Sequence, residues 1–178
     1  MTTAILLVLA GVSSRLLPHP PNAVALGAIA LYAGARLPRR WALTIPLAIL
    51  LISDYALDYA HGHPFYFASR LTTYLLFTLI AWGGTFVARD ASPMARCGFS
   101  VLASTTFFLL SNLAVWFEGT GYDFPRTFAG LMSTYAVAIP FYQNSLVADL
   151  IGTGLLFGLD SLLNRIFETA RSPRQEAA

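Results

Sequence analysis

Apolar residues occur in six long runs along the chain, and short polar stretches separate these runs. The runs cover about residues 3–17, 22–35, 41–58, 70–88, 97–117 and 140–164. A helix needs about 20 predominantly apolar residues to cross the hydrocarbon core of a bilayer. The pattern therefore predicts an all-α membrane protein with a single domain over residues 1–178, built as a bundle of six transmembrane helices. Five or seven spans are the alternatives.

The segment before the last run is less uniformly apolar than its neighbours. It extends over about residues 125–138 and leads into Pro140, a residue type that interrupts helices because it has no N–H to donate. We expect an extra short helix here, which lies on the bundle or dips into it before the last span. Residues 168–178 are polar and are expected to form a cytoplasmic tail.

The composition supports a membrane location. Hydrophobic residues make up 56% of the chain and charged residues only 11%, whereas soluble domains carry about 25% charged residues. The net charge of +2 and the lack of any nucleic-acid-binding motif give no reason to expect RNA or DNA as a partner. Cys97 is the only cysteine, so an internal disulfide is excluded. No motif indicates a cofactor.

The arginines are distributed unevenly between the two ends of the predicted bundle. With six spans, eight of them lie at the end where the first helix begins and three at the other end. Because cytoplasmic loops are enriched in arginine and lysine, we predict an inner-membrane protein with both termini in the cytoplasm. Residues 1–14 have no basic residue before their apolar core, which favours a retained first helix over a cleaved signal peptide.

Polar side chains inside the runs fall mainly near the outer end of the bundle. At about 1.5 Å per residue, Asp54 lies about 20 Å from the cytoplasmic start of its helix, and Asn112 reaches a similar level. Ionisable residues in membrane helices are costly to insert and are candidates for function. We therefore predict an outward-facing pocket with these candidate substrate-binding residues: Arg15, His19, Asn22, Asp54, Asn112, Trp116, Asn144 and Asp149. The alternative is a structural network in which Arg15 pairs with Asp54 or Asp149.

The stretch DYALDYAHGHPF offers a different chemistry. Asp58 lies one helical turn after Asp54, and His61 and His63 follow in a loop with glycine and proline. Aspartate and imidazole can bind first-row transition metals. A histidine pair in an exposed loop is more often a solvated turn. We therefore expect no metal site here, and keep His61, His63 and Asp58 as the ligands of the alternative.

The stretch RLLPHPPN separates the first two runs. Pro18, Pro20 and Pro21 end the first helix, and residues that precede a proline are held extended. We predict a stiff hairpin that points His19 and Asn22 over the mouth of the pocket. The alternative is a rigid turn whose His19 only faces water.

Small residues recur at helical spacing along the second run. Their spacing of four, three and four residues predicts a seam that lets another helix of this chain approach closely: Ala23, Gly27, Ala30 and Gly34. Gly154 and Gly158 predict a similar seam on the last helix.

Several stretches together resemble a family pattern: RLLPHPPN, ALGAIALYAGA, IPLAILLISDYAL, LLSNLAVW and STYAVAIPFYQNSLVADLIGTGLLFG. Over about residues 15–158, the chain resembles an uncharacterised bacterial membrane family regarded as transport proteins. More loosely, it is similar to the S components of energy-coupling factor (ECF) vitamin transporters. That resemblance implies the six-helix S-component fold, a transport role, and an ECF-type coupling subunit with ATPases as partners.

The leading hypothesis is a membrane protein, not an enzyme, that binds or takes up a small vitamin- or nutrient-like molecule. The chain contains no GxxxxGK[ST] loop for ATP, so energy from ATP would come from other chains, or the protein works alone. One alternative is a metal-dependent membrane enzyme or transition-metal uptake protein that uses Asp54, Asp58, His61 and His63. The other is a structural membrane protein without a ligand.

Overall fold

The computed structural model describes residues 2–65, 70–119 and 124–175, with side chains described as far as residue 166. These residues contain six α-helices and no strand. In chain order the helices are α1 Thr2–Leu16, α2 Leu26–Arg36, α3 Arg39–His61, α4 Leu71–Gly84, α5 Pro93–Glu118 and α6 Phe128–Gln175. The prediction of an all-α fold is confirmed.

Three of the helices in the described residues are long and apolar enough to cross a membrane: α3, α5 and α6 as far as Ile166. The apolar helices α1 and α4 have only 15 and 14 residues, and α2 has 11. At about 1.5 Å per residue, α2 extends about 17 Å, which is well short of the roughly 30 Å hydrocarbon core. The fold fits a helical membrane protein, while six complete spans stay a prediction.

The prediction of a separate short helix before the last span is wrong, because α6 continues without a break from Phe128 through Pro140 to Gln175. Contacts with α5 hold α6 on both sides of the proline. Before it, the Tyr135 hydroxyl donates to the Leu109 carbonyl over 2.9 Å. After it, the Tyr142 ring packs on Phe108. A proline removes one helical hydrogen bond, and packing between helices can compensate for that loss in a membrane. Helix α6 also continues through most of the predicted tail, of which residues 176–178 lie outside the described residues.

Helix α2 is the centre of the bundle, in contact with each of the other five helices. Nine of its eleven residues are buried. On one side, a Cβ added at Gly34 would collide with the Ala81 carbonyl and the backbone of Gly84 on α4. On another, a Cβ added at Gly152 of α6 would lie 2.6 Å from the Ala25 Cβ. The seam predicted on α2 is therefore a packing surface within this chain.

The seam predicted at Gly154 and Gly158 is not formed, because no described residue of another helix lies within 4 Å of a Cβ added at either glycine. Both residues are exposed on the outside of the bundle. Gly152 makes the close approach on α6 instead. Glycine spacing alone does not indicate which side of a helix faces its neighbours.

An arginine cluster closes the end of the bundle where α2 ends and α5 begins. Arg36 Nε donates to Asp160 over 2.8 Å, and its Nη2 donates to the Arg89 carbonyl over 3.0 Å. The guanidinium groups of Arg36 and Arg96 lie 5.1 and 5.0 Å from the centre of the Phe157 ring. At the opposite end of the bundle, residues of all six helices surround a cavity.

Candidate functional site

A cavity of about 460 Å³ lies at the end of the bundle where α1 ends and α2 begins. Residues of all six helices line it, mostly from α4, α5 and α6, together with the hairpin between α1 and α2. Five of the eight predicted substrate-binding residues line it: Arg15, His19, Asn22, Asn112 and Asp149. Small-molecule sites in proteins are usually concave, largely apolar and about 300–1,000 Å³ in volume. The size of this cavity falls within that range.

Helices α5 and α6 determine the depth of the cavity. Its lining extends from Val115 to Ser104 on α5 and from Ala138 to Asp149 on α6. Each stretch advances eleven residues, which corresponds to about 16 Å along a helix. The two helices are antiparallel, and the hydrogen bond of 2.7 Å from Ser104 Oγ to Asp149 Oδ2 joins their deepest lining residues. Ser104 and Asp149 therefore form the floor.

The Asp149 side chain on α6 caps the N-terminal turn of α2. Its Oδ1 accepts the Ala28 amide N–H over 2.9 Å, and the Gly27 amide also donates to the carboxylate. The N-cap residue of α2, Ala25, provides no side-chain cap. The first amides of a helix lack partners within the helix and attract negative charge. Asp149, which is only 5% exposed, satisfies them in place of a local cap.

Asp54 lies behind Arg15 and does not line the cavity. The Arg15 guanidinium pairs with Asp54 Oδ1 and donates through Nε to Ser53 Oγ over 2.7 Å. The other Asp54 oxygen accepts the Tyr74 hydroxyl over 2.9 Å and lies 3.4 Å from Arg70 Nε. The ion pair between Arg15 and Asp54, which the structural alternative predicts, is therefore present. Asp54 can reach a ligand only through the arginine that it orients.

The hairpin between α1 and α2 brings His19 and Asn22 to the cavity. Asn22 adopts a left-handed backbone conformation with φ of 60°, which asparagine tolerates better than most residues. Asn144 does not line the cavity, but its Nδ2 donates to the Pro21 carbonyl over 2.9 Å. Ser145 Oγ donates to the Asn22 carbonyl over 3.2 Å. Helix α6 therefore fixes the hairpin over the cavity.

Asn112 and Trp116 are one turn apart on α5 but have different roles. Asn112 lines the cavity, and its Nδ2 donates to the Phe108 carbonyl over 2.8 Å. Trp116 does not line the cavity. Its Nε1 donates to the Pro125 carbonyl over 3.2 Å, which ties the end of α5 to the segment that leads into α6.

Aromatic side chains form much of the cavity wall, and the sequence pattern did not predict this role for them. The Phe77 and Phe107 rings lie 4.8 Å apart, and the Phe108 and Tyr142 rings lie 4.7 Å apart. All four residues line the cavity together with Phe141. No signal in a single sequence separates such residues from lipid-facing ones, because apolar side chains are favourable in both places.

The residues of the predicted alternative metal site do not converge. Asp58 Oδ1 accepts Arg70 Nη2 over 2.7 Å, and His61 Nδ1 donates to the Leu57 carbonyl of its own helix over 2.6 Å. His63 is exposed in the loop after α3. Among the residues that the structure describes, no group of three or more His, Cys, Asp or Glu side chains could hold a metal ion.

The chain belongs to a family of unknown function, DUF6580, which it matches over residues 1–172. No curated protein and no solved structure matches the chain.

Proposed function

We propose that this protein is a membrane substrate-binding or uptake protein for a small organic nutrient, and that the cavity above the Ser104–Asp149 floor is its binding site. The role is binding and transport rather than catalysis. The observation that carries the proposal is the cavity of about 460 Å³, which Arg15, Asn112 and Asp149 line between largely apolar helices.

The polar lining is what makes this cavity a candidate site. Polar groups inside a membrane protein are costly and usually face a bundle interior or a water-filled space, where they mark substrate pathways. Here the polar groups come from α1, α5 and α6 as well as from the hairpin, and they surround a space large enough for a small molecule. A purely structural network would fill this space with side chains instead.

The proposed topology places six membrane-inserted helices in a bacterial inner membrane, with the cavity open to the outside. Arg36, Arg89 and Arg96 cluster at the end opposite the cavity, and arginine-rich ends face the cytoplasm. Both termini would then be cytoplasmic. The resemblance to ECF S components suggests a coupling subunit and ATPases as partners, and a protein that works alone is the alternative.

Thermal unfolding of the detergent-purified chain tests the proposal. A panel of vitamins, nucleosides and other small nutrients, with cobalt, nickel and zinc ions alongside, is expected to include an organic compound that raises the melting temperature. Stabilisation by metal ions alone would indicate a metal site, and stabilisation by nothing would indicate a structural protein. Either result would refute the proposal.

Two variants of the hairpin locate the binding site. His19→Ala and Asn22→Gly are expected to weaken binding of the stabilising compound while membrane insertion is kept. Glycine replaces Asn22 because it tolerates the φ of 60° at this position. His63→Ala and Asn164→Ala are the matched controls, since both residues are exposed and neither lines the cavity. If the hairpin variants bind as tightly as the controls, the hairpin is not part of the site.

A further inference from the structure

The charges around the cavity do not cancel evenly. Near the mouth, Arg15 and Arg70 interact with Asp54 and Asp58, so two positive charges meet two negative ones. The floor contains Asp149, which is the one carboxylate among the described residues that lines the cavity. The groups described as its hydrogen-bond donors are a hydroxyl and two backbone amides, and none of them carries a full charge. The floor is thus the electronegative part of the cavity.

The N-terminus of α2 compensates Asp149 only in part. A helix N-terminus is equivalent to roughly half a positive charge. A carboxylate has about four acceptor positions, and Ser104, Gly27 and Ala28 donate to three. One acceptor position and about half a negative charge therefore remain at the floor.

The wall above this carboxylate is aromatic. On α5, Phe107 and Phe108 lie about one turn from Ser104 towards the mouth, and on α6 Tyr142 lies two turns from Asp149. Phe77 of α4 completes a pair with Phe107. The faces of aromatic rings carry partial negative charge and attract cations, most strongly where water is excluded. Wall and floor therefore favour the same sign of charge on a ligand.

We propose that the substrate of this cavity is an organic cation with a single positive charge, such as an amine or a ring that carries a quaternary nitrogen. The cationic end lies at the Asp149 floor between the aromatic rings, and the rest of the molecule extends towards the hairpin. This inference rests on the proposed function, and it adds the charge and chemical class of the ligand. Among the described residues, the arginines at the mouth, Arg15 and Arg70, are paired with Asp54 and Asp58, so an anion would meet the Asp149 carboxylate and the ring faces without an equivalent positive charge.

Matched pairs of compounds test the sign of the charge. The first pair is 1-methylnicotinamide and nicotinamide. The second pair is 4-(4-dimethylaminostyryl)-N-methylpyridinium and the same molecule without the methyl group on the pyridine nitrogen. This pair is measured at a pH above the pKa of the pyridine, so that the second compound is uncharged. The third is benzyltrimethylammonium and its uncharged carbon analogue, neopentylbenzene. Binding to the full-length protein in detergent is measured by thermal shift and by competition. We expect at least one cation to bind, and to bind about tenfold or more tightly than its neutral partner.

Variants then assign the preference to the floor and to the wall. Asp149→Asn is expected to reduce the affinity for the cation about tenfold or more and to leave the affinity for the neutral partner nearly unchanged. Its control is Asp90→Asn, which removes an exposed carboxylate. Phe108→Leu keeps an apolar side chain but removes the ring. This variant is expected to reduce the affinity for the cation by a few fold to about tenfold. Phe117→Leu, an exposed residue of the same helix, is its control.

The outcomes separate this inference from the proposed function. If neutral or anionic nutrients stabilise the protein and no cation binds more tightly than its neutral partner, the inference is wrong while the proposed function stands. If cations bind equally well to Phe108→Leu and, where it folds, to Asp149→Asn, the inference is also wrong. If no organic compound of any charge binds, the proposed function fails first.

Discussion

Gly27 leaves the space that the Asp149 carboxylate occupies. A Cβ added at Gly27 would collide with an Asp149 oxygen and lie 2.8 Å from its Cγ. The two residues are 122 positions apart in the chain. Because the glycine has no side chain, the carboxylate reaches the first amides of α2 and at the same time forms the floor of the cavity. A packing requirement of the central helix and the chemistry of the candidate site thus depend on one contact.

Replacement of Gly27 by alanine tests this contact. The new methyl group would push the carboxylate away from the Ala28 amide, so Gly27→Ala is expected to reduce the free energy of unfolding by about 1–3 kcal/mol. Thermal unfolding in detergent measures the change. Gly154→Ala is the control, because an added Cβ there lies within 4 Å of no described residue of another helix. Equal melting temperatures for the two variants would show that Asp149 can move without cost.

Loss of the carboxylate behind Arg15 is expected to be destabilising. In Asp54→Asn, Arg15 loses its ion pair and Arg70 retains only Asp58 among the described acidic partners. Removal of one partner from a buried ion pair lowers the free energy of unfolding by about 3–5 kcal/mol. Because both arginines are partly exposed, we expect a smaller loss of about 1–3 kcal/mol here. Chemical or thermal unfolding gives the value. Asp90→Asn removes an exposed carboxylate and should leave stability within about 0.5 kcal/mol.

Asn144 is expected to affect binding without contact with a ligand. Its side-chain amide donates to the Pro21 carbonyl of the hairpin, so Asn144→Ala should let the hairpin move. Because one hydrogen bond contributes about 1 kcal/mol, this variant should weaken the binding of any cavity ligand by about five- to tenfold. Isothermal titration with the stabilising compound measures the affinity. Gln143→Ala, at the exposed neighbouring position of α6, should bind normally. A normal affinity for Asn144→Ala would show that the hairpin is fixed by other contacts.

Cys97 reports the orientation of the bundle. It is exposed near the start of α5, at the end opposite the cavity. If that end faces the cytoplasm, a membrane-impermeant thiol reagent added to intact cells should not label Cys97, whereas labelling should follow permeabilisation. The control combines Cys97→Ser with His63→Cys, which places the only thiol in the exposed loop at the other end. This variant should react in intact cells, and the reverse pattern would invert the proposed topology.

Composition and the apolar runs were sufficient to predict a helical chain with a polar level near one end. Runs of apolar residues and the charges within them are local properties of the sequence. Polar groups are unfavourable in lipid whatever the rest of the chain does, so these local properties alone predict helices and the position of polar residues along them. For this reason Asn112 and Asp149 could both be selected from the sequence, and the structure brings both to one cavity. Their depths differ, because Asp149 bonds to Ser104, which lies eight residues and about 12 Å from Asn112 along α5. The boundaries were less predictable, because α6 passes through Pro140 only with the help of its packing on α5.

The direction in which each polar side chain points was decided by the tertiary structure alone. The sequence made Asp54 and Asp149 equivalent as acidic residues in membrane helices, yet Asp54 lies behind Arg15 and Asp149 forms the floor. The aromatic wall and the cap of Asp149 on α2 were also decided by tertiary packing. Each of these features depends on which faces of distant helices meet. The arrangement of faces is the one with the lowest total free energy from packing and from pairing of polar groups over the whole bundle, and no single segment determines it.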